Sequence, residues 1–181
     1  MQVKNCALVL VVLIVILSGC SGGGKLSLED VGIMKIDDEK QKITLGMSRA
    51  KAEDVLGKGE KNDYDGFEYD SGVTVRYRDG KISSIALSEE SKGVYQTLNK
   101  IEIGTLRDKV EKIVDAKAAS DKPLSYFYDT SSKSFVTERE KLERKSTEEL
   151  EENFVLSYNF DDNGYTSLII LSDQRAAKYG D

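Results

Sequence analysis

The 181-residue chain has no histidine, no tryptophan and only two cysteines. Without histidine, the serine, cysteine and metal-dependent hydrolases that rely on an imidazole are excluded. Both cysteines, Cys6 and Cys20, lie near the N-terminus. The chain beyond Cys20 has no thiol, so it has neither a disulfide nor a zinc site of the usual ligand types. No metal or other cofactor is expected. Long apolar runs are also lacking. The one uninterrupted stretch, Ala7 to Leu17, has the length of a signal-peptide core and falls short of the ~20 residues a membrane-spanning helix needs. Basic residues are outnumbered, 26 Lys and Arg against 32 Asp and Glu, for a net charge of −6. No Lys/Arg stripe with interleaved aromatics is present, so nucleic acid is not an expected partner.

What is present begins with Leu17-Ser18-Gly19-Cys20. This stretch follows Lys4 and the apolar run, and precedes the glycine-rich spacer Ser21 to Lys25. It resembles the lipobox of bacterial lipoproteins. The resemblance implies cleavage before Cys20 and attachment of a diacylglycerol to its sulfur. Stable anchoring needs about two acyl chains, which one such modification can supply. The alternative is an uncleaved N-terminal anchor with Cys20 as a bystander. Both readings export the chain. Residues 1–19 are therefore expected to be a signal peptide and residues 20–42 a linker and lead-in. The expected location is the extracytoplasmic face of the cell membrane. In the lead-in, Leu28, Val31 and Ile33 are candidate packing residues.

The remaining residues suffice for a real core, and they repeat themselves. Ile43-Thr44-Leu45-Gly46-Met47-Ser48-Arg49 is echoed 58 positions later by Ile101-Glu102-Ile103-Gly104-Thr105-Leu106-Arg107. A short helix is expected after each, with Ser48 and Thr105 as N-caps. The apolar stripes are Ala52, Val55 and Leu56 in the first copy, and Leu106, Val110, Ile113 and Val114 in the second. Aromatic strands follow, Phe67 to Tyr69 and Tyr126 to Tyr128. Each copy then closes with a hairpin. Val73, Val75 and Tyr77 alternate with polar residues up to Asp79-Gly80, and the chain returns over Lys81 to Leu87. Phe154, Leu156, Tyr158 and Phe160 alternate up to Asp162-Asn163-Gly164, and the chain returns over Tyr165 to Leu171. Alternation at period two around such turns is a strong hairpin signal.

The expected fold is thus α+β and two-layer, with two tandem repeats of helix plus a three-stranded or larger antiparallel sheet. Repeat 1 spans residues 43–88 and repeat 2 residues 89–181. Glu89 to Asn99 reads as a short helix leading into repeat 2. An insert at about 130–153 distinguishes the second copy. It is charged, and Ser146-Thr147-Glu148-Glu149 reads as a helix start. A mobile, partly helical surface element is expected there; a solvated excursion without a role is the alternative.

The Leu45-Gly46-Met47-Ser48-Arg49 motif, running to Val55-Leu56-Gly57, resembles the opening of the β-lactamase inhibitor protein family. It is also similar to the small SmpA/OmlA-type lipoproteins of outer-membrane assembly. The resemblance implies that the loops after the aromatic strands contact a protein partner. Those loops are Asp70-Ser71-Gly72 and the insert, with Asp70 in the acidic role. The first loop is shorter than the inhibitor's and the inhibitor's bracing disulfides are missing, so the expected partner is a different envelope protein.

Candidate partner-binding residues are Asp70, Ser71, Tyr126, Tyr128, Phe135 and Leu142, and Cys20 is the lipidation site. Tyr64, Phe67, Tyr69, Tyr77 and Tyr158 could extend a tyrosine-rich face, or could simply fill strands and core. Tyr126 and Tyr128 share one face of their strand and Phe127 takes the other. Asp161 to Gly164 does not fit a calcium loop, because the twelfth position would be Ile170 instead of glutamate. Glu89-Glu90 and Glu151-Glu152 read as solvated charges, and Arg76, Arg78 and Lys81 as a small basic patch. No enzymatic activity is expected. The expected function is protein binding at the envelope; the alternative is a module for a small ligand or wall polymer.

Overall fold

Two hairpins organise the chain. The computed structural model describes residues 26–138 and 145–180; Cys20 and Leu142 lie outside the described residues. The first hairpin joins β5 (Val73–Arg78) to β6 (Lys81–Leu87) through Asp79 and Gly80. Both turn residues have positive φ, 51° and 73°, the conformation whose twist matches that of the flanking strands. The second joins β11 (Phe154–Phe160) to β12 (Thr166–Asp173). Its turn is closed by the Asp161 carboxylate, which accepts from the amides of Asn163 and Tyr165 at 3.0 and 2.8 Å. Each hairpin carries one extra residue in its return strand, Ser83 in one and Ser167 in the other.

The hairpins join along β6 and β12 into one antiparallel nine-stranded sheet. On one side lie β5, β4 (Gly66–Tyr69) and β3 (Glu60–Lys61). On the other lie β11, β9 (Leu124–Asp129) and β10 (Ser134–Val136), with β8 (Ser120–Asp121) paired to β9. A second sheet has three strands in the order β2-β1-β7, namely Lys42–Thr44, Gly32–Lys35 and Tyr95–Thr97. Helices α1 (Arg49–Leu56) and α2 (Arg107–Val114) join it. One cluster of buried side chains binds these elements to the inner face of the large sheet. Ile33, Ile43, Ala52 and Val110 meet Val75, Ile85, Leu87, Tyr126, Tyr158 and Ile169 in it. The result is the expected two-layer α+β architecture.

The two helix openings make matching backbone contacts. Gly46 N–H donates to Ile82 O and Gly104 N–H to Thr166 O, both at 2.8 Å. In return Ile82 N–H donates to Met47 O, and Thr166 N–H to Thr105 O. Arg49 N–H donates to Gly80 O and Arg107 N–H to Gly164 O. Each helix start is therefore stitched to the tip of its own hairpin. This revises the capping expectation. The N-caps are Ser48 and Leu106, and neither makes a side-chain cap bond. Thr105 Oγ1 instead accepts from Glu102 N–H. The hairpin carbonyls satisfy the first-turn amides of Arg49 and Arg107, two of the donors that a helix start leaves without an intrahelical partner.

One expectation changes and two are filled in. Glu89 to Asn99 is not a helix. A single 3-10 turn at Glu89–Ser91 ends before Gly93 at φ 73°, and β7 follows, paired with β1. The lead-in contains a 3-10 turn at Leu28–Asp30 and then β1; Ile33 in β1 and Val31 just before it are buried as expected, and Leu28 packs half-buried against the core. The insert is partly built into the fold: β10 pairs with β9, and α3 (Thr147–Glu152) starts in a capping box formed by Ser146 and Glu149. Leu150 fixes α3 in place, 2 % exposed. Helix α3 packs against β12 and against α4 (Gln174–Tyr179).

Candidate functional site

Strand alternation assigns each residue of the large sheet to a face. The inner face holds the core. Two neighbouring rows of the outer face cross several strands with mostly small side chains. One row runs Thr74, Ala86, Ile170, Ser157, Ser125, each paired with the next. The other runs Arg76, Ser84, Ser172, Val155, Phe127. Small residues keep the face low, and Thr74, Ala86, Ile170 and Ser157 remain partly exposed.

Helices α3 and α4 cover one corner of this face. Beside α4 they leave a groove of about 470 Å³, lined by Pro123, Ser125, Phe127, Val155, Ser157 and Ala177, among others. Its floor is short because Ser125 and Ser157 face each other across β9 and β11, with Oγ atoms 2.8 Å apart. Phe127 of β9 and Gln174, Ala177 and Lys178 of α4 also line the groove.

An ionic knot fixes α4. The Arg78 guanidinium donates to both carboxylate oxygens of Asp173, and its Nε lies 3.4 Å from Glu151 of α3. Glu151 also pairs with Arg175. Asp173 in turn caps α4, accepting from Ala176 N–H at 2.8 Å. The side chains of Arg78 and Asp173 are 16 % and 4 % exposed. Arg78 is thus a clamp between the first hairpin and the C-terminal helices, which corrects its reading as part of a solvated basic patch. Glu151 likewise is not merely a solvated charge.

The expected partner residues fall in different places. Tyr126 and Tyr128 are core residues, 1 % and 3 % exposed. Tyr128 stacks on Phe154 at 4.7 Å, and the half-buried Phe135 sits edge-on to both tyrosines. The three-stranded sheet and α2 cover that side of β9, leaving the two tyrosines no ring surface for a partner. Phe127, which the alternation places on the opposite face, reaches the groove instead. Asp70 and Ser71 are exposed in the turn between β4 and β5. That turn is pressed against the next loop. Ser88 N–H donates to Gly72 O at 2.9 Å, and a Cβ on Gly72 would lie 2.3 Å from Ser88 Oγ.

Because β6 and β12 run antiparallel, the Asp70 turn and the insert occupy diagonally opposite corners of the sheet. Five strand spacings separate β4 from β9, about 24 Å across the strands alone. The two loops do not form one contact surface.

At the insert corner, Asp129 is 8 % exposed. Burial pushes its pKa up, but bonds from Lys145 Nζ (2.6 Å) and from the Ser131 hydroxyl and amide (2.7 and 3.0 Å) outweigh this and hold it well below the usual carboxylate range. Burial also raises the Tyr158 hydroxyl. Among the described residues there is no group of three or more acidic, histidine or cysteine side chains that could hold a metal ion. No helix among them is long and apolar enough to cross a membrane. Comparison with protein-family models, with curated proteins and with solved structures yields no match.

Proposed function

We propose that the chain is a cell-envelope lipoprotein, anchored through Cys20, that binds another protein without catalysing a reaction. In this reading it carries two copies of one inhibitor-like unit, and the partner lies across the outer face of the large sheet. One observation carries the choice of surface: the low, partly exposed rows of small residues end in the groove beside α4. An antiparallel sheet left open on one face presents a broad, shallow area of the kind protein partners cover. The exported chain has no imidazole or thiol with which to do chemistry.

The test is photo-crosslinking in intact cells, with a photoreactive residue at Ala86 or Ala177 and a control at Lys51 on α1. One discrete protein adduct at Ala86 and Ala177, absent at Lys51, supports the reading. No adduct at any site overturns it.

The groove volume supports a second reading, because about 470 Å³ lies within the usual range of small-ligand sites. A soluble envelope metabolite or wall fragment that protects the protein thermally, with the effect lost in Ala177→Trp, would favour it.

A further inference from the structure

We infer that the insert corner of the domain, around Leu26 and Thr130 to Lys133, faces the membrane surface, and that the Asp70 corner points away from it. The inference rests on the N-terminal anchor proposed above. It follows from the position of Leu26, the residue nearest Cys20 that the structure describes.

Leu26 is not loosely placed. Its N–H donates to the Tyr128 hydroxyl at 3.0 Å, and its side chain packs against the core. Tyr128 lies near the end of β9, two residues before Thr130. Leu26 to Glu29 and Thr130, Ser131 and Lys145 form the two sides of one cleft. The tether therefore leaves the domain beside the turn between β9 and β10. From Cys20 to Leu26 it spans six residue steps, at most about 20 Å when fully extended. The Asp70 turn is at the opposite end of the strands and five strands away. Adding a strand length of about 25 Å to the lateral 24 Å puts it roughly 35 Å from Thr130.

Charge does not produce this orientation. Glu29, Glu149 and Glu152 line the same cleft as Lys145, and an acidic corner gains nothing from anionic lipid. The short tether imposes it, so it depends on tether length.

The experiment uses the full-length protein purified from membranes and reconstituted in phosphatidylcholine vesicles that carry an acceptor-labelled lipid. A donor dye is placed on Ser132→Cys or on Asp70→Cys, both exposed positions. Energy transfer to the vesicle surface is expected to be at least about twofold stronger from position 132, given the ~20 Å reach. Inserting about ten Gly/Ser residues after Gly24 should remove the difference, because such a linker is a flexible coil. Equal transfer from the two positions with the native spacer, or stronger transfer from position 70, overturns the orientation. The intact mass tests the anchor separately. A membrane-bound protein lacking acyl mass overturns lipidation of Cys20 and the orientation argued from it, whereas equal transfer in an acylated protein overturns the orientation alone. A protein found free of the membrane overturns both.

Discussion

Ala86 pairs directly with Ile170 where the two halves of the large sheet meet. On either side of this pair, Ile85 faces Leu171 and Leu87 faces Ile169. The hairpin turns align at an offset of 84, since Gly80, Lys81 and Ile82 match Gly164, Tyr165 and Thr166 in their contacts with the helix starts. At that offset Ala86 corresponds to Ile170, and Ile85 and Leu87 to Ile169 and Leu171. Each half thus meets the other through corresponding positions, as in a two-fold interface built within one chain.

This seam makes the halves one cooperative unit. Ile85 is fully buried at its centre. Ile85→Ala is expected to cost about 2–5 kcal/mol. Urea unfolding followed by tyrosine fluorescence and by far-UV circular dichroism should give one coincident transition at a lower midpoint. Two separated transitions would show that the halves unfold independently.

The Arg78 clamp predicts a large effect from one surface-proximal charge. Arg78→Met leaves Asp173 buried without its guanidinium, an arrangement that costs about 3–5 kcal/mol. Replacing Arg76, which the structure does not place in this knot, should change stability by less than about 0.5 kcal/mol. Thermal melts of the two variants give the comparison, and equal effects would contradict the clamp.

Asp129 predicts an acid-sensitive contribution. Its folded pKa lies below the ordinary value of 3.8. A carboxylate depressed on folding stabilises the fold fully above its unfolded pKa, and the contribution is lost as the pH falls through the folded value. The stability difference between the wild type and Asp129→Asn should therefore be constant above pH 3.8 and shrink on further acidification. Denaturant titrations at a series of pH values measure it, and a difference that does not vary with pH would remove the ion pair from the account.

The insert helix separates a local term from a packing term. Ser146→Ala removes the capping box at a cost of about 1 kcal/mol. Leu150→Ala opens the contact beneath α3 and should cost about 2–5 kcal/mol. Hydrogen exchange should show both losses first in Thr147 to Asn153.

Much of this fold is legible in the sequence because its governing interactions are local. Period-two alternation and the Asp-Gly and Asn-Gly turns place both hairpins to within a residue or two. Ser146 and Glu149 mark the start of α3 because a capping box closes within one helical turn. The apolar stripe of Val110, Ile113 and Val114 likewise identifies the buried side of α2, but Leu106, expected in the same stripe, is the exposed N-cap.

Tertiary structure decided the rest. Tyr95 to Thr97 became a strand because β1, far earlier in the chain, supplies its hydrogen-bond partners. Alternation separated Tyr126 and Tyr128 from Phe127 but did not say which set would be covered; the packing of α2 and the three-stranded sheet on one side settled that. The seam at Ala86 and Ile170, the clamp of Arg78 on Asp173 and the diagonal placement of the two loops all depend on which strand edges meet. A strand edge carries the same N–H and C=O groups whatever its side chains, so the sequence records which segments are strands more plainly than how they are ordered.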